Sequence, residues 1–358
     1  MSESRRPLVL VDGRLARRRR TGIATYIREL DRALSAHPPT RFDVEFVYGP
    51  PGIPRRGHMT QLLNLALDLL WLHVLLPLYA ISRRAALIHA PVNWAPWFSP
   101  ARTIVTVQDL SFERMPDAYP RGFGTYARLF ARRSARAANL VLATSRSTAN
   151  DLTQLYGIPS DRIEVVPIGV HPGPPADAGP PREPFVLYVG EFEPRKRVPA
   201  LIEGHRRYFA EHDPGAYRLV LAGGGGSEEE RVRSLAGQES ELTGFVSDAK
   251  LLDLYQRASL LVMPSAYEGF GLPVAEAMAN GCPVLVADNS ALTEVGGDAA
   301  YVLDDPSPDG IAAALGRILA EPGSLRVRGQ RAQAESARFG WDAVADATAS
   351  AYERALRS

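Results

Sequence analysis

Two successive α/β units, each a doubly wound parallel sheet, are the fold class predicted by this chain of 358 residues. Short apolar runs alternate with helical patterns almost throughout, as strands buried on both faces do between crossover helices. The alternation stops at residues 173–184 (GPPADAGPPREP), a proline- and glycine-dense stretch without periodicity, and then restarts. The length suits two domains of about 150–200 residues better than one. The expected partition is therefore 1–172, a linker over 173–184, a second domain over 185–340, and a terminal segment over 341–358.

Leu8–Val11 reads as the first strand, followed by the polar, arginine-rich loop Asp12–Gly22. Residues Ile23–Ser35 predict a helix, because Ile23, Tyr26, Ile27, Leu30 and Leu34 share one face at helical spacing. Phe42–Tyr48 alternates as a strand does. Residues 61–81 (QLLNLALDLLWLHVLLPLYAI) are long and apolar enough for a bilayer span. They also carry Asn64, Asp68, His73 and Pro77, which a bilayer centre tolerates poorly. The expectation is a kinked helix, largely buried or interfacial, with a monotopic membrane contact left open. Leu87–His89, Thr103–Val107 and Leu140–Ala143 are further strands, and Gly122–Ala138 is helical. Past the linker, strands are expected at Phe185–Val189, Leu219–Leu221, Ser259–Met263 and Val284–Ala287. Helices are expected at Pro199–Glu211, Asp248–Arg257, Leu272–Asn280 and Ile311–Ala320, with the alanine-rich Trp341–Leu356 as the last.

With 46% hydrophobic and 23% charged residues the composition is that of a soluble globular protein. A single cysteine, Cys282, rules out an intrachain disulfide, and no signal-peptide pattern opens the sequence, so a cytoplasmic setting is expected. Net charge is +1, but it is divided unevenly. Residues 1–172 hold 23 arginines, no lysine and 13 acids, a balance of +10; the remainder stands at −9. A basic half suits an anionic surface or acceptor, such as phospholipid, a lipid diphosphate or a polyanionic glycan. Nucleic acid fits less well, since no recognition motif with interleaved aromatics accompanies the arginines.

The most informative stretch is PSAYEGFGLPVAEAMANGCPVLVADNSALTEVGGDAA, residues 264–300. Gly269-Phe270-Gly271 allows backbone amides a close approach to a ligand. Leu272-Pro273 then opens a helix whose N-terminus, following glycines, attracts anions. Glu268 and Glu276 flank this site with seven residues between them. A carboxylate repels phosphate but accepts strongly from hydroxyls, so a sugar nucleotide suits both features. Upstream, YVGEFEPRKRV ends a strand at Gly190 and sets Arg195-Lys196-Arg197 just beyond it. Lys196 stands out because the chain has 39 Arg and only two Lys. Fixed cations aimed at a developing diphosphate charge are an effective catalytic device.

The E-x7-E spacing within EGFGLPVAEAMANG, with EPRKR upstream, resembles the retaining GT-B glycosyltransferases of family 4. The resemblance covers nearly the whole chain and is specific over Tyr188–Val198 and Pro264–Ala300. It implies two Rossmann-like domains facing a cleft, and a C-terminal helix that crosses back onto the N-terminal domain. It also implies that Arg195 and Lys196 hold the donor diphosphate, that Glu268 orients the donor sugar and Glu276 the ribose. Gly190, Gly269, Phe270, Gly271 and Leu272 would complete that donor site. Thr243-Gly244-Phe245-Val246 matches the segment under the nucleotide base, which assigns Phe245 and Val246 to donor binding. In the first half, Thr21-Gly22-Ile23 matches the family's glycine loop, and Ser145 and Arg146 are further candidate contacts.

Two positions depart from the family pattern. VTVQDL carries Gln108 where relatives have a histidine facing the sugar, and Gln cannot become charged. Glu191 stands where many relatives have an arginine directly after the glycine. The run Gly223–Gly226 lacks the Lys-Ser/Thr of a phosphate loop and reads as a flexible turn. No HExxH, C-x-x-C or DxD pattern is present, so no metal or cofactor is expected.

The sequence thus predicts a retaining glycosyltransferase, independent of metal, that moves a hexose from a nucleotide-diphosphate sugar. GDP-mannose is the preferred type by resemblance, and the acceptor hydroxyl belongs to a glycan, a lipid-linked or a small molecule. The alternative is a non-catalytic sugar-nucleotide binder or assembly subunit. A nicotinamide oxidoreductase is excluded, since no G-x-G-x-x-G follows the first strand with an acid about 20 residues on.

Overall fold

The computed structural model describes residues 6–17, 22–50, 52–53, 58–119, 121–176, 179–213 and 215–357. Arg18–Arg20, Thr21 and linker residues 177 and 178 lie outside these. The chain forms two compact units. The first comprises residues up to Glu113, Tyr119–Gly169 and Trp341 onward; the second comprises Arg114–Ala118 and Val170–Gly340.

In the first unit, six strands run parallel: β1 (Leu8–Asp12), β2 (Asp43–Val47), β3 (Leu87–Ala90), β4 (Arg102–Val107), β5 (Leu140–Ala143) and β6 (Ile163–Val165). Their spatial order is β2-β1-β3-β4-β5-β6. The register sets Val9 beside Leu87 and Val11 beside His89, so the centre of the sheet is apolar on both faces. Helix Gly22–Ala36 buries Tyr26, Ile27, Leu30 and Leu34 in that core. The terminal helix Trp341–Arg357 enters the same core through Trp341, Val344 and Tyr352, with Trp341 tilted against Tyr26 at 6.1 Å. Each large side chain so buried contributes about 1.5–3 kcal/mol. The helix is also latched by polar groups: Tyr352 Oη and His89 Nδ1 are 2.7 Å apart, and His89 Nε2 lies 2.8 Å from Thr106 Oγ1. Burial drives His89 down to about 3, so its imidazole is neutral.

Of the two expectations for the long apolar helix, largely buried or interfacial, the structure contradicts the first. It runs as α-helix over His58–Leu70, widens to a π-turn at Trp71–Leu75, and resumes as Leu76–Arg83. The irregularity therefore precedes Pro77, in the turn whose Leu76 N–H reaches back to the Trp71 carbonyl. Trp71, Leu72, Leu76 and Ala80 pack on Leu8, Leu10 and Ile88. The helix is not largely buried: only 22% of its most apolar window is covered. One edge of the helix is all that the sheet can reach, and the opposite side of the same apolar run stays in solvent.

The second unit is again all parallel: β7 (Glu183–Val189), β8 (Arg218–Ala222), β9 (Ser240–Gly244), β10 (Ala258–Met263), β11 (Val284–Ala287) and β12 (Tyr301–Leu303). The order is β12-β11-β10-β7-β8-β9. The chain winds outward from β7 through β8 to β9, returns to β10 beside β7, and winds outward again on the other side. The carboxyl ends of β7 and β10 are therefore a topological switch point, where loops diverge and leave a crevice. Helices Val198–His212 and Pro308–Leu319 pack closely at Gly204, where an added Cβ would meet Ile311 Cβ at 2.7 Å.

Candidate active site

The second unit's site grows from the two loops at its switch point. After β7, Gly190 takes φ 152°, and its carbonyl leaves no room for a Cβ on Gly223, which would lie 2.0 Å away. The loops after β7 and β8 therefore touch backbone to backbone. The glycine turn 223–226 is held in place, contrary to the flexible turn expected. Gly223 N–H donates to the Gly244 carbonyl at 2.9 Å, Gly225 N–H to Glu229 Oε2 at 2.9 Å, and Phe192 N–H to the Gly225 carbonyl at 3.1 Å. Beside it Phe245 is exposed, its ring 3.7–3.9 Å from where Cβ atoms on Gly224 and Gly225 would stand. The ring therefore presents an uncovered aromatic face. Val246 follows it, partly buried.

Residues Pro194–Lys196 form a tight turn, and Arg197 takes a left-handed conformation (φ 54°) before helix Val198–His212. The turn delivers Arg195 and Lys196 to the loop after β10. Arg195 Nη1 donates to Glu268 Oε2 at 3.0 Å, and Lys196 Nζ donates to Glu268 Oε1. Arg195 Nε also donates to Glu193 Oε2 at 2.8 Å. The backbones join as well, Ala266 N–H donating to the Arg195 carbonyl at 2.6 Å. Lys196 and Glu268 are buried. Burial alone would raise the Glu268 carboxyl, but the Lys196 and Arg195 charges beside it prevail and hold it below the usual carboxylate value.

The loop then reaches Gly271, left-handed at φ 93°, where an added Cβ would meet Leu292 at 2.7 Å. Glycine is required there. Helix Leu272–Ala279 starts at once, with Pro273 in its first turn, so the Leu272 amide lies at the positive end of the dipole. The ring of Phe270 is buried edge-on against Phe339 at 5.3 Å, so it is not the ring that would meet a ligand. Glu276, one turn on, is partly buried and accepts a hydrogen bond from Tyr255 Oη at 2.8 Å. Burial pushes its carboxyl up to about 7 against that hydrogen bond.

Three supports escaped the sequence reading. Tyr255 holds Glu276, and Glu193 shares Arg195. Ser290, a non-glycine residue at φ 47°, accepts from the Glu268 amide at 3.0 Å. The dipeptide Asn289-Ser290 after β11 was the one available signal, and Asn289 Nδ2 donates to the Ser265 carbonyl at 2.7 Å. Glu191 is exposed, yet partial desolvation raises its carboxyl, with Glu193 adding to the rise and Arg195 and Lys196 opposing it. An acid thus lies within the field of the two cations.

Gly22 and Gln108 belong to the first unit. Gly22 is the first residue of its helix. Gln108 is tied to its own surroundings, Nε2 donating to the Pro91 carbonyl at 3.1 Å and N–H to Asn93 Oδ1 at 2.8 Å. Ser145 caps helix Arg146–Tyr156, its hydroxyl accepting from Thr148 N–H. Among the described residues no three His, Cys, Asp or Glu side chains converge as metal ligands.

Residues 176–335 match the family described as glycosyl transferases group 1, and residues 20–173 match glycosyltransferase family 4. The chain is 30% identical to the O-antigen chain mannosyltransferase B of Escherichia coli over 70% of each chain. The chain belongs to the family-4 glycosyltransferases. It is also 33% identical to a D-inositol 3-phosphate glycosyltransferase of Xylanimonas cellulosilytica, over 62% of this chain and 58% of that one. The match thus spans little more than half of the latter's length. In fold, this glycosyltransferase resembles the sucrose-phosphate synthase of Thermosynechococcus elongatus, with TM-score 0.78 and 21% identity over 98% and 99% of the two chains. It also resembles Anabaena HepE, solved with UDP and glucose, with TM-score 0.66 and 17% identity over 97% and 99%. These likenesses show the GT-B fold of two Rossmann-like domains.

Proposed function

We propose that this glycosyltransferase moves a hexose from a nucleotide-diphosphate sugar to an acceptor hydroxyl with retention of anomeric configuration. GDP-mannose is the preferred donor type, which the mannosyltransferase relative supports. The acceptor is a glycan, a lipid-linked saccharide or a small molecule, and the setting is the cytoplasm. The observation that carries the proposal is the convergence of Arg195, Lys196 and a glycine-capped helix N-terminus at the switch point of β7 and β10.

As the bond from the sugar C1 to the diphosphate oxygen breaks, negative charge grows on the leaving diphosphate. Lys196, Arg195 and the Leu272 amide would neutralise it. The acceptor oxygen forms its bond to C1 on the face the diphosphate leaves, and its proton passes to a leaving phosphate oxygen. Glu268 would accept hydrogen bonds from the sugar hydroxyls and Glu276 from the ribose. In this reading the fixed cations do the charge neutralisation, so chelation with EDTA leaves turnover unchanged. The test is incubation with GDP-, UDP-, dTDP- and ADP-sugars, with the anomer of any product or slow hydrolysis read by NMR. Inversion at C1 would overturn retention, and failure to bind any of the nucleotides would overturn the donor class.

A second reading, a non-catalytic sugar-nucleotide binder, draws on Glu191 beside the cation pair. Tight nucleotide binding without turnover on any acceptor, rescued by Glu191→Arg, would favour it.

A further inference from the structure

The apolar helix of the first unit carries an exposed face that its own core does not use. Leu63, Ala66, Leu70, Val74, Leu78 and Ile81 are all exposed and follow one another three or four residues apart. That spacing keeps them on one side of the helix, and the wide π-turn at Trp71–Leu75 falls within it without breaking the row. The row is about 27 Å long at ~1.5 Å per residue. It carries no hydrogen-bonding side chain. Asp68, the helix's only acid, lies 4.0 Å from Arg14 Nε at a salt-bridge contact, off the row.

Cationic and aromatic groups border this face. Arg83 and Arg84 are exposed at its C-terminal end, Arg83 donating to Glu45 at 2.8 Å. At mid-length, His73 contacts the ring of Trp97 at 5.0 Å, and the neighbouring Phe98 is 80% exposed. The Arg133 guanidinium lies 4.7 Å over Trp97 and 5.9 Å over Phe98, with exposed Leu129 one turn away on the same helix.

We propose that this face is a membrane-docking surface that lies in the plane of an anionic phospholipid leaflet. Three observations select a bilayer over a protein. A specific protein interface carries about one hydrogen bond per 100–200 Å², and this row offers none. Arg83 and Arg84 at the C-terminal end, with Trp97 and Arg133 at the flank, match the interfacial belt where aromatic rings and guanidinium groups meet headgroups. The first 172 residues hold +10, the sign that anionic lipid attracts. The opposite edge of the helix is locked into the core through Trp71, Leu72, Leu76 and Ala80, so it lies on the membrane and does not cross it.

Flotation of the full chain with phosphatidylcholine vesicles, with and without phosphatidylglycerol, tests this and needs neither donor nor turnover. Strong association with the anionic vesicles at low salt is expected, weakening as the Debye length falls to about 3 Å. Leu70→Glu combined with Leu78→Glu should lower the partition coefficient about tenfold or more. Arg84→Gln combined with Arg133→Gln should lower it by a similar factor on anionic vesicles only. All four side chains are exposed, so circular dichroism and thermal midpoint should stay as in the parent; Phe98→Ser gives an independent arm should either pair misfold. No flotation at low salt overturns the proposal. So does a dimer, seen by sedimentation, that Leu70→Glu with Leu78→Glu dissociates while the parent ignores vesicles.

Discussion

At the scale of the residue, this glycosyltransferase shifts two carboxylates in opposite directions. Glu268 is paired with two cations that hold its carboxyl down; Glu276 is lifted to about 7 by burial, with the Asp248 charge adding to the rise and the Tyr255 hydrogen bond opposing it. For Glu276 the folded value exceeds the unfolded one, so the folded chain binds the extra proton between about pH 4.5 and 7. Its contribution to stability is therefore fullest below that window and declines as pH rises through it, by no more than about 3 kcal/mol. Glu276→Gln should raise the urea midpoint at pH 8 and leave it unchanged near pH 4.5; an equal change at both would sink the assignment. If the ionised carboxylate grips the ribose, nucleotide affinity should rise from pH 6 to 8 in the parent and stay flat in the variant. Lys196→Ala should cut turnover at saturating donor by roughly 10²–10³, the range for losing one preorganised stabiliser. Lys196→Arg should restore only part, since a planar guanidinium is not a compact ammonium. Near-normal turnover in Lys196→Ala would mean that the diphosphate lies elsewhere. What the sequence disclosed at this scale was the type of residue and its neighbours in the chain. It could not disclose that Lys196 and Glu268 meet, because they are 72 positions apart and only the adjacency of β7 and β10 joins them. The Tyr255 hydroxyl at Glu276, 21 positions away on another helix, was hidden because only the packing of the two helices joins them.

Among the elements, legibility followed burial. The interior strands are continuous apolar runs and were read within a residue or two. The three strands not read, β6, β9 and β12, are all at sheet edges, where partial exposure admits Glu164, Glu241 and Tyr301 and breaks the run. The sequence left the apolar helix open between buried and interfacial, because hydropathy reports what a segment is made of and not how much of it the sheet can reach. The terminal helix shows how a remote element is held. Gly169 lies flat under the indole of Trp341, where an added Cβ would come within 2.3 Å of the ring. Gly169→Ala should therefore force the indole from its place and lower stability by about 1–3 kcal/mol, the usual range for overpacking. Paired with Trp341→Phe, whose smaller ring frees space, the loss should shrink, and a double-mutant cycle in urea measures that coupling. Additive losses would show that the helix is not anchored at this point.

Across the whole molecule, the candidate donor groups belong to one unit. Arg195, Lys196, Glu268, Glu276 and the Phe245 ring all lie within Val170–Gly340, on a sheet whose strand order creates one switch point. A ligand that binds only the folded form of that unit stabilises it by mass action, about 2.7 kcal/mol at a concentration 100 times Kd. For a unit of this size each kcal/mol moves the midpoint by about 2–4 °C, so a saturating nucleoside diphosphate should raise Tm by about 5–10 °C. GDP should outrank UDP, dTDP and ADP at equal concentration if the donor is of the GDP-mannose type. The free nucleosides should do little, because they lack the diphosphate that Arg195 and Lys196 would grip. Phe245→Ala should reduce the shift for every base alike, since stacking is indifferent to base identity. Arg195→Ala should abolish most of it. A Tm unmoved by all four diphosphates would remove the nucleotide from this site, and with it the chemistry assigned to the cation pair.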